Sequence, residues 1–148
     1  MRRIATLFIT ALLLLTPAGA ATADPATTAT VTATGLTVTA RWALLADDPT
    51  AVVLVGQYSC GPFTGGVPDR GVIDMGLTQV VNGVEVRGIG YLTPTVCDGT
   101  GQWYAVELTA VGGATFRRAA ARWSASGYVE GDSGMQNVSV PPTRIVIR

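Results

Sequence analysis

Residues 72–91 read VIDMGLTQVV-NG-VEVRGIGY, with Asn82-Gly83 standing between two runs rich in β-branched residues, Val72–Val81 and Val84–Tyr91. A two-residue Asn-Gly connector supplies two positions that tolerate positive φ. The turn it builds twists in the same sense as the strands it joins, so the stretch predicts a β-hairpin. Upstream, Ala51–Cys60 reads as a strand on which Val52, Leu54, Tyr58 and Cys60 share one face, because side chains repeat every two residues. Cys60 has to face inward to reach a partner, which makes that face the core face. Before it, Leu36–Trp42 alternates loosely, and Asp47-Asp48-Pro49 marks a turn.

Downstream, Gly61–Pro68 reads as a loop and Thr95–Cys97 as a short extended piece. Asp98–Gly101 turns the chain into a strand over Gln102–Ala110, and Gly112-Gly113 breaks it. Ala119–Val129 reads as strand or, from its alanines, as a helical turn, with Ser124–Val129 favouring strand. Glu130–Gly134 reads as a loop. Val138–Val140 and Arg144–Ile147 read as two closing strands around Pro141-Pro142. Seven to nine strands separated by turns, with no helix-period segment able to stand alone, predict an all-β fold: an antiparallel β-sandwich or small barrel.

The N-terminus sets the compartment. Met1-Arg2-Arg3 is basic, Ile4–Leu15 is apolar and uncharged, Thr16-Pro17 interrupts it, and Ala21-Thr22-Ala23 offers small residues at a cleavage site. This is the pattern of a secretory signal over residues 1–23. The apolar run is shorter than the ~20 residues a membrane-spanning helix needs. Residues 24–34 read as a flexible linker and residues 35–148 as the folded domain. Export predicts an oxidising environment, in which Cys60 and Cys97 pair. The wide spacing and apolar neighbours favour a structural bond over a redox-active one.

Composition narrows function mainly by exclusion. The chain has no His and carries its ten cations entirely as Arg. Ser-His and Cys-His nucleophiles, Schiff-base lysines and most zinc or copper sites are thereby removed. No cofactor and no metal are expected. Removing the leader takes Arg2 and Arg3 with it, so the mature chain is mildly acidic. It therefore gains nothing from the counterion release that drives nucleic-acid binding, and no nucleic-acid partner and no membrane insertion are expected. Gly131–Gly134 reads GDSG, the tetrapeptide around a chymotrypsin-like nucleophile, but that chemistry requires a His. An acidic turn is the better reading; Glu130 and Asp132 as calcium ligands are the weaker one.

Asp69, Asp74, Glu85 and Glu107 are available as a carboxylate pair for glycoside hydrolysis, with nothing in their spacing to select two. Arg117, Arg118 and Arg122 form a local basic cluster, read either as a grip for an acidic polymer or as a solvated strand entry. Trp42, Trp103 and Trp123 are candidate ligand contacts, although most aromatics of a sandwich are core. Two of them exposed on one sheet face would favour the ligand reading.

Tyr58-Ser59-Cys60, then Cys97-Asp98-Gly99 followed by Trp103, with Phe116–Ala121 later, resemble a group of small secreted actinobacterial all-β domains of uncharacterised function. The resemblance covers roughly residues 36–148 and implies export and an immunoglobulin-like outline, without implying an activity. The chain departs from true immunoglobulin domains in its short Cys60–Cys97 spacing and in placing Trp103 after the second cysteine. Enediyne-carrying apoproteins are similar secreted sandwiches with two disulfides, whereas the cysteines here suffice for one. The expectation is a secreted, non-enzymatic immunoglobulin-like β-sandwich binding an envelope polymer, a protein or a small ligand. Its rivals are a structural envelope domain and a carboxylate-dependent hydrolase.

Overall fold

The computed structural model describes residues 35–148; the leader and linker expected over residues 1–34 lie outside the described residues. Seven strands form one antiparallel sheet: β1 (Thr37–Leu45), β2 (Ala51–Ser59), β3 (Arg70–Val81), β4 (Val84–Leu92), β5 (Gln102–Ala110), β6 (Ala120–Gly131) and β7 (Gly134–Val146). Their order is β1-β2-β5-β4-β3-β6-β7. The sheet curls until its ends meet. Ala43 bridges Ile147 in parallel, Arg148 donates its N–H to the Ala43 carbonyl, and Leu45 donates to Arg148, both at 2.9 Å. The result is nearly a barrel. Among the described residues, no helix is long and apolar enough to cross a membrane.

The Asn82-Gly83 turn forms as read. Val81 pairs with Val84, and the two turn residues have φ of 52° and 80°, the double positive that a type I′ turn requires. Two readings need correction. Glu130–Gly134 is not a loop: β6 runs to Gly131, pairs it with Gly134, and leaves Asp132-Ser133 alone as the turn. Nor do the prolines split the last strand. β7 runs through Pro141-Pro142 next to a bulge opposite Trp123–Ala125, which a strand at the end of the sheet order tolerates because its outer N–H groups have no ladder to serve. Ala120–Gly131 is strand throughout, so the helical alternative for this stretch falls. Thr95–Cys97 belongs to no strand.

Alternation places the core. Val52, Leu54 and Tyr58 of β2, and Cys60 just past its end, are buried as the period-two reading requires. They meet Ile73, Met75 and Leu77 of β3, Tyr104, Val106 and Leu108 of β5, and Trp123 and Val129 of β6. Each large apolar side chain of this kind contributes about 1.5–3 kcal/mol on burial. One polar side chain shares that layer. Gln79 is 2% exposed, accepts the Arg117 N–H at 2.9 Å and donates to the Arg117 carbonyl at 2.8 Å. It thereby pins the loop before β6 to β3. Gln79→Leu should cost about 2–4 kcal/mol, because both backbone groups of Arg117 lose their partner. Urea denaturation reads that loss; an unchanged midpoint would remove this role.

Cys60 and Cys97 are bonded, with Cα atoms 4.6 Å apart. The bond staples the end of β2 to the β4–β5 connection rather than one strand to another. Around it, Phe63 donates to the Cys97 carbonyl, Cys97 to Gly66 and Gly99 to Cys60, at 2.7–2.9 Å. Tyr58 Oη accepts the N–H groups of Thr95 and Val96 at 3.3 and 3.4 Å. The Gln136 amide brackets Gly61, accepting its N–H and donating to its carbonyl.

The joint between β4 and β5 is different in kind. It has only two ladder pairs, Gly88 with Ala110 and Ile89 with Thr109. Gly90 lets the two strands approach there, whereas a Cβ on Gly88 would meet the Phe116 ring at 2.8 Å. A Cβ on Gly90 would lie 2.5 Å from the Glu107 carbonyl oxygen and 2.7 Å from Leu108 Cδ2.

Candidate functional site

A bulge decides where Trp42 points. On β1, Ala40 pairs with Gly56 but Trp42 pairs with Val55, so Arg41 is an extra residue. The insertion reverses the alternation: Leu36 and Val38 face the core before it, and Ala43, fully buried, faces the core after it. Without the bulge, Trp42 would point inward with Val38. Gly56 makes the room, since a Cβ there would collide with the Thr39 carbonyl and lie 2.8 Å from Tyr104 Oη. That hydroxyl donates to the Thr39 carbonyl at 3.0 Å and ties β5 to the bulge. Burial pushes the Tyr104 phenol well above its ordinary pKa, so it stays a donor.

The consequence is a tryptophan pair outside the sheet. On β5 the inward residues are Tyr104, Val106 and Leu108, so Trp103, Ala105, Glu107 and Thr109 point out. Trp103, 53% exposed, stacks on half-buried Trp42 with ring centroids 5.8 Å apart and planes within 8°. The Arg41 guanidinium lies 4.6 Å from the Trp42 centroid and 5.9 Å from that of Trp103, within cation–π range. Trp123 is 5% exposed on the inner face of β6 and is not available to a ligand, contrary to its place among the candidates.

A groove that neither tryptophan lines lies farther along the outer face of β5. Its volume is about 810 Å³, and Asp74, Ile89, Tyr91, Ala105, Glu107 and Thr109 line it above Met75, Gly90 and Val106. Ala105 lies two residues along β5 from Trp103 on the same face, about 7 Å away at strand rise. Ile89 and Tyr91, 60% and 69% exposed, carry the apolar surface onto β4. Two of the four carboxylates singled out from the sequence, Asp74 and Glu107, therefore share one groove. Asp69 and Glu85 do not line it.

The remaining acidic candidates have partners within the protein. Glu130 accepts from Arg70 at 2.7 Å. Asp132 accepts the Thr64 N–H with both oxygens, at 3.1 and 3.2 Å, and hydrogen bonding from the Thr64 side chain and then from its N–H holds the carboxyl below the usual range. Asp132 is thus a clamp between the β6–β7 turn and the loop after β2, as Asp98 is a clamp on Thr100 within its own turn. Among the described residues, no three His, Cys, Asp or Glu gather as metal ligands.

The sequence cluster of arginines is dispersed over two settings. Arg117 and Arg118 stand exposed in the loop that Gln79 holds, whereas Arg122 is on the outer face of β6, directly opposite Arg144 of β7. Arg41 and Arg144 were not singled out from the sequence. The first acquires its role from a bulge and the second from a long-range register, and neither leaves a local signal. Comparison of the chain with family models, with curated proteins and with solved structures gives no match.

Proposed function

We propose that the chain is an exported, non-enzymatic binding module and that it takes an envelope saccharide on the Trp42–Trp103 face. One observation carries this reading: two indoles stack outside the sheet, and Trp103 shares the outer face of β5 with Ala105 and Glu107 of a groove that also holds Asp74. The C–H face of a sugar ring fits an exposed indole, and its hydroxyls would find acceptors on Asp74 and Glu107 and a donor on Arg41. A protein partner fits less well. Its half of a standard interface covers about 800 Å², whereas the exposed large apolar side chains on the outer face of β1, β4 and β5 are Leu44, Ile89, Tyr91 and Trp103.

The leader pattern and the formed disulfide support export. The two-pair β4–β5 joint supports a sandwich of immunoglobulin-like outline, with β1-β2-β5 and β4-β3-β6-β7 as its half-sheets. That outline agrees with the resemblance to small secreted actinobacterial domains. The test is co-sedimentation of the disulfide-bonded mature chain with purified, protein-free peptidoglycan. Trp103→Ala should weaken retention about tenfold, the equivalent of one good stacking contact. Full retention by this variant would sink the reading.

Carboxylate-dependent hydrolysis is the second reading, favoured only by the shared position of Asp74 and Glu107. Release of reducing ends from the same peptidoglycan, lost in Asp74→Asn and Glu107→Gln, would establish it in place of the first.

A further inference from the structure

The outer face of the β4-β3-β6-β7 half carries a straight cationic row. Arg87 pairs in register with Thr78, Thr78 with Arg122, and Arg122 with Arg144, so one row crosses four adjacent strands. At the usual strand separation the row spans about 14 Å. All three arginines are exposed. A concavity of about 630 Å³ lies along it, lined by Thr78, Val80, Glu85, Arg122 and Arg144, with Gln79 at its base.

Two features set this row apart from ordinary surface charge. The first is that Arg122 and Arg144 face each other directly, and like charges in that position destabilise a sheet. The second is the lack of compensation. Among the described residues the ion pairs are Arg70 with Glu130 and, at 3.9 Å, Arg87 with Glu85, so Arg122 and Arg144 have no carboxylate partner. A chain of zero formal charge did not have to place them together.

We propose that this row binds a linear polyphosphate chain, with successive phosphates held by Arg122 and Arg144 and met by the Thr78 hydroxyl. Guanidinium groups grip phosphate oxygens with two parallel N–H donors. A row of such groups at strand spacing fits a chain of anions better than a single ion. The site is separate from the Trp42–Trp103 face and does not depend on the reading of that face.

The test is titration of the mature chain with long-chain inorganic polyphosphate, followed by fluorescence anisotropy of labelled protein at several salt concentrations. Wild type should bind with affinity that falls steeply as salt rises. Arg122→Gln/Arg144→Gln should bind about tenfold or more weakly, while Arg41→Gln and Trp103→Ala should bind as wild type does. Thermal melts without ligand keep folding separate: relief of the like-charge pair predicts that the double variant melts at or above the wild-type temperature. No binding by wild type at low salt would overturn the proposal. Equal binding by the double variant, or equal wild-type affinity for polyglutamate or for monomeric phosphate, would do the same.

Discussion

Removing the disulfide, as Cys60→Ala/Cys97→Ala, should lower the unfolding free energy by about 4 kcal/mol on the chain-entropy model for a loop of this length. The bond closes 37 residues of separation, so most of its effect is on the unfolded chain. A native-state contribution adds to it. Phe63, Gly66, Cys60 and Gly99 exchange backbone hydrogen bonds with or beside Cys97 in a region with no strand ladder of its own. Domains of this size have only about 5–15 kcal/mol of stability. Urea unfolding of the double variant should therefore show a midpoint far below wild type, and reduced wild type should behave similarly. A midpoint shift worth less than about 1 kcal/mol would mean that the hydrogen bonds around Cys97 hold the staple without the covalent bond.

Gly90→Ala should be the most damaging single small-to-large change at the sheet joint, costing about 2–4 kcal/mol where overpacking ordinarily costs 1–3. The new methyl meets the Glu107 carbonyl at 2.5 Å, and a backbone atom cannot rotate away as a side-chain end can. Leu108 Cδ2 closes the other direction at 2.7 Å. The strands must part, and they are joined there by only two pairs. The groove floor at Gly90 and Val106 parts with them, so saccharide retention should fall together with stability. Hydrogen exchange at the Gly88–Ala110 pair would report the opening. Undiminished protection there would contradict the close approach.

The sequence carried the local part of the structure well. Asn82-Gly83 between β-branched runs has one good solution, and the face shared by Val52, Leu54, Tyr58 and Cys60 follows from period two alone. The disulfide followed from compartment and count. Less legible was whatever depends on a register set by distant partners. Trp42 stood among the ligand candidates without a face assigned to it: strict alternation from Val38 would point it inward, and the extra residue at Arg41 turns it out. Nothing in the residue types around Arg41 announces that insertion, since Gly56, which makes room for it, is distant in the chain. Trp123 failed as a candidate for the reverse reason: its neighbours Ala121 and Ala125 share its buried face, and alternation was the correct guide. Pro141-Pro142 argued for a break, but strand position in the sheet decides whether a proline breaks anything. The groove bringing Asp74 to Glu107 joins β3, β4 and β5, a juxtaposition that topology creates and spacing along the chain does not encode.

The sharpest test of the binding face is tryptophan fluorescence of the mature chain titrated with soluble peptidoglycan fragments. Trp123 is buried and serves as an internal reference, while Trp42 and Trp103 lie where the saccharide is proposed to sit. Wild type should give a saturable change that Arg122→Gln/Arg144→Gln retains and that Trp103→Ala reduces in size and moves to about tenfold higher fragment concentration. A wild-type signal that stays flat throughout the titration, or a Trp103→Ala response with the wild-type size and midpoint, would contradict a saccharide site on this face.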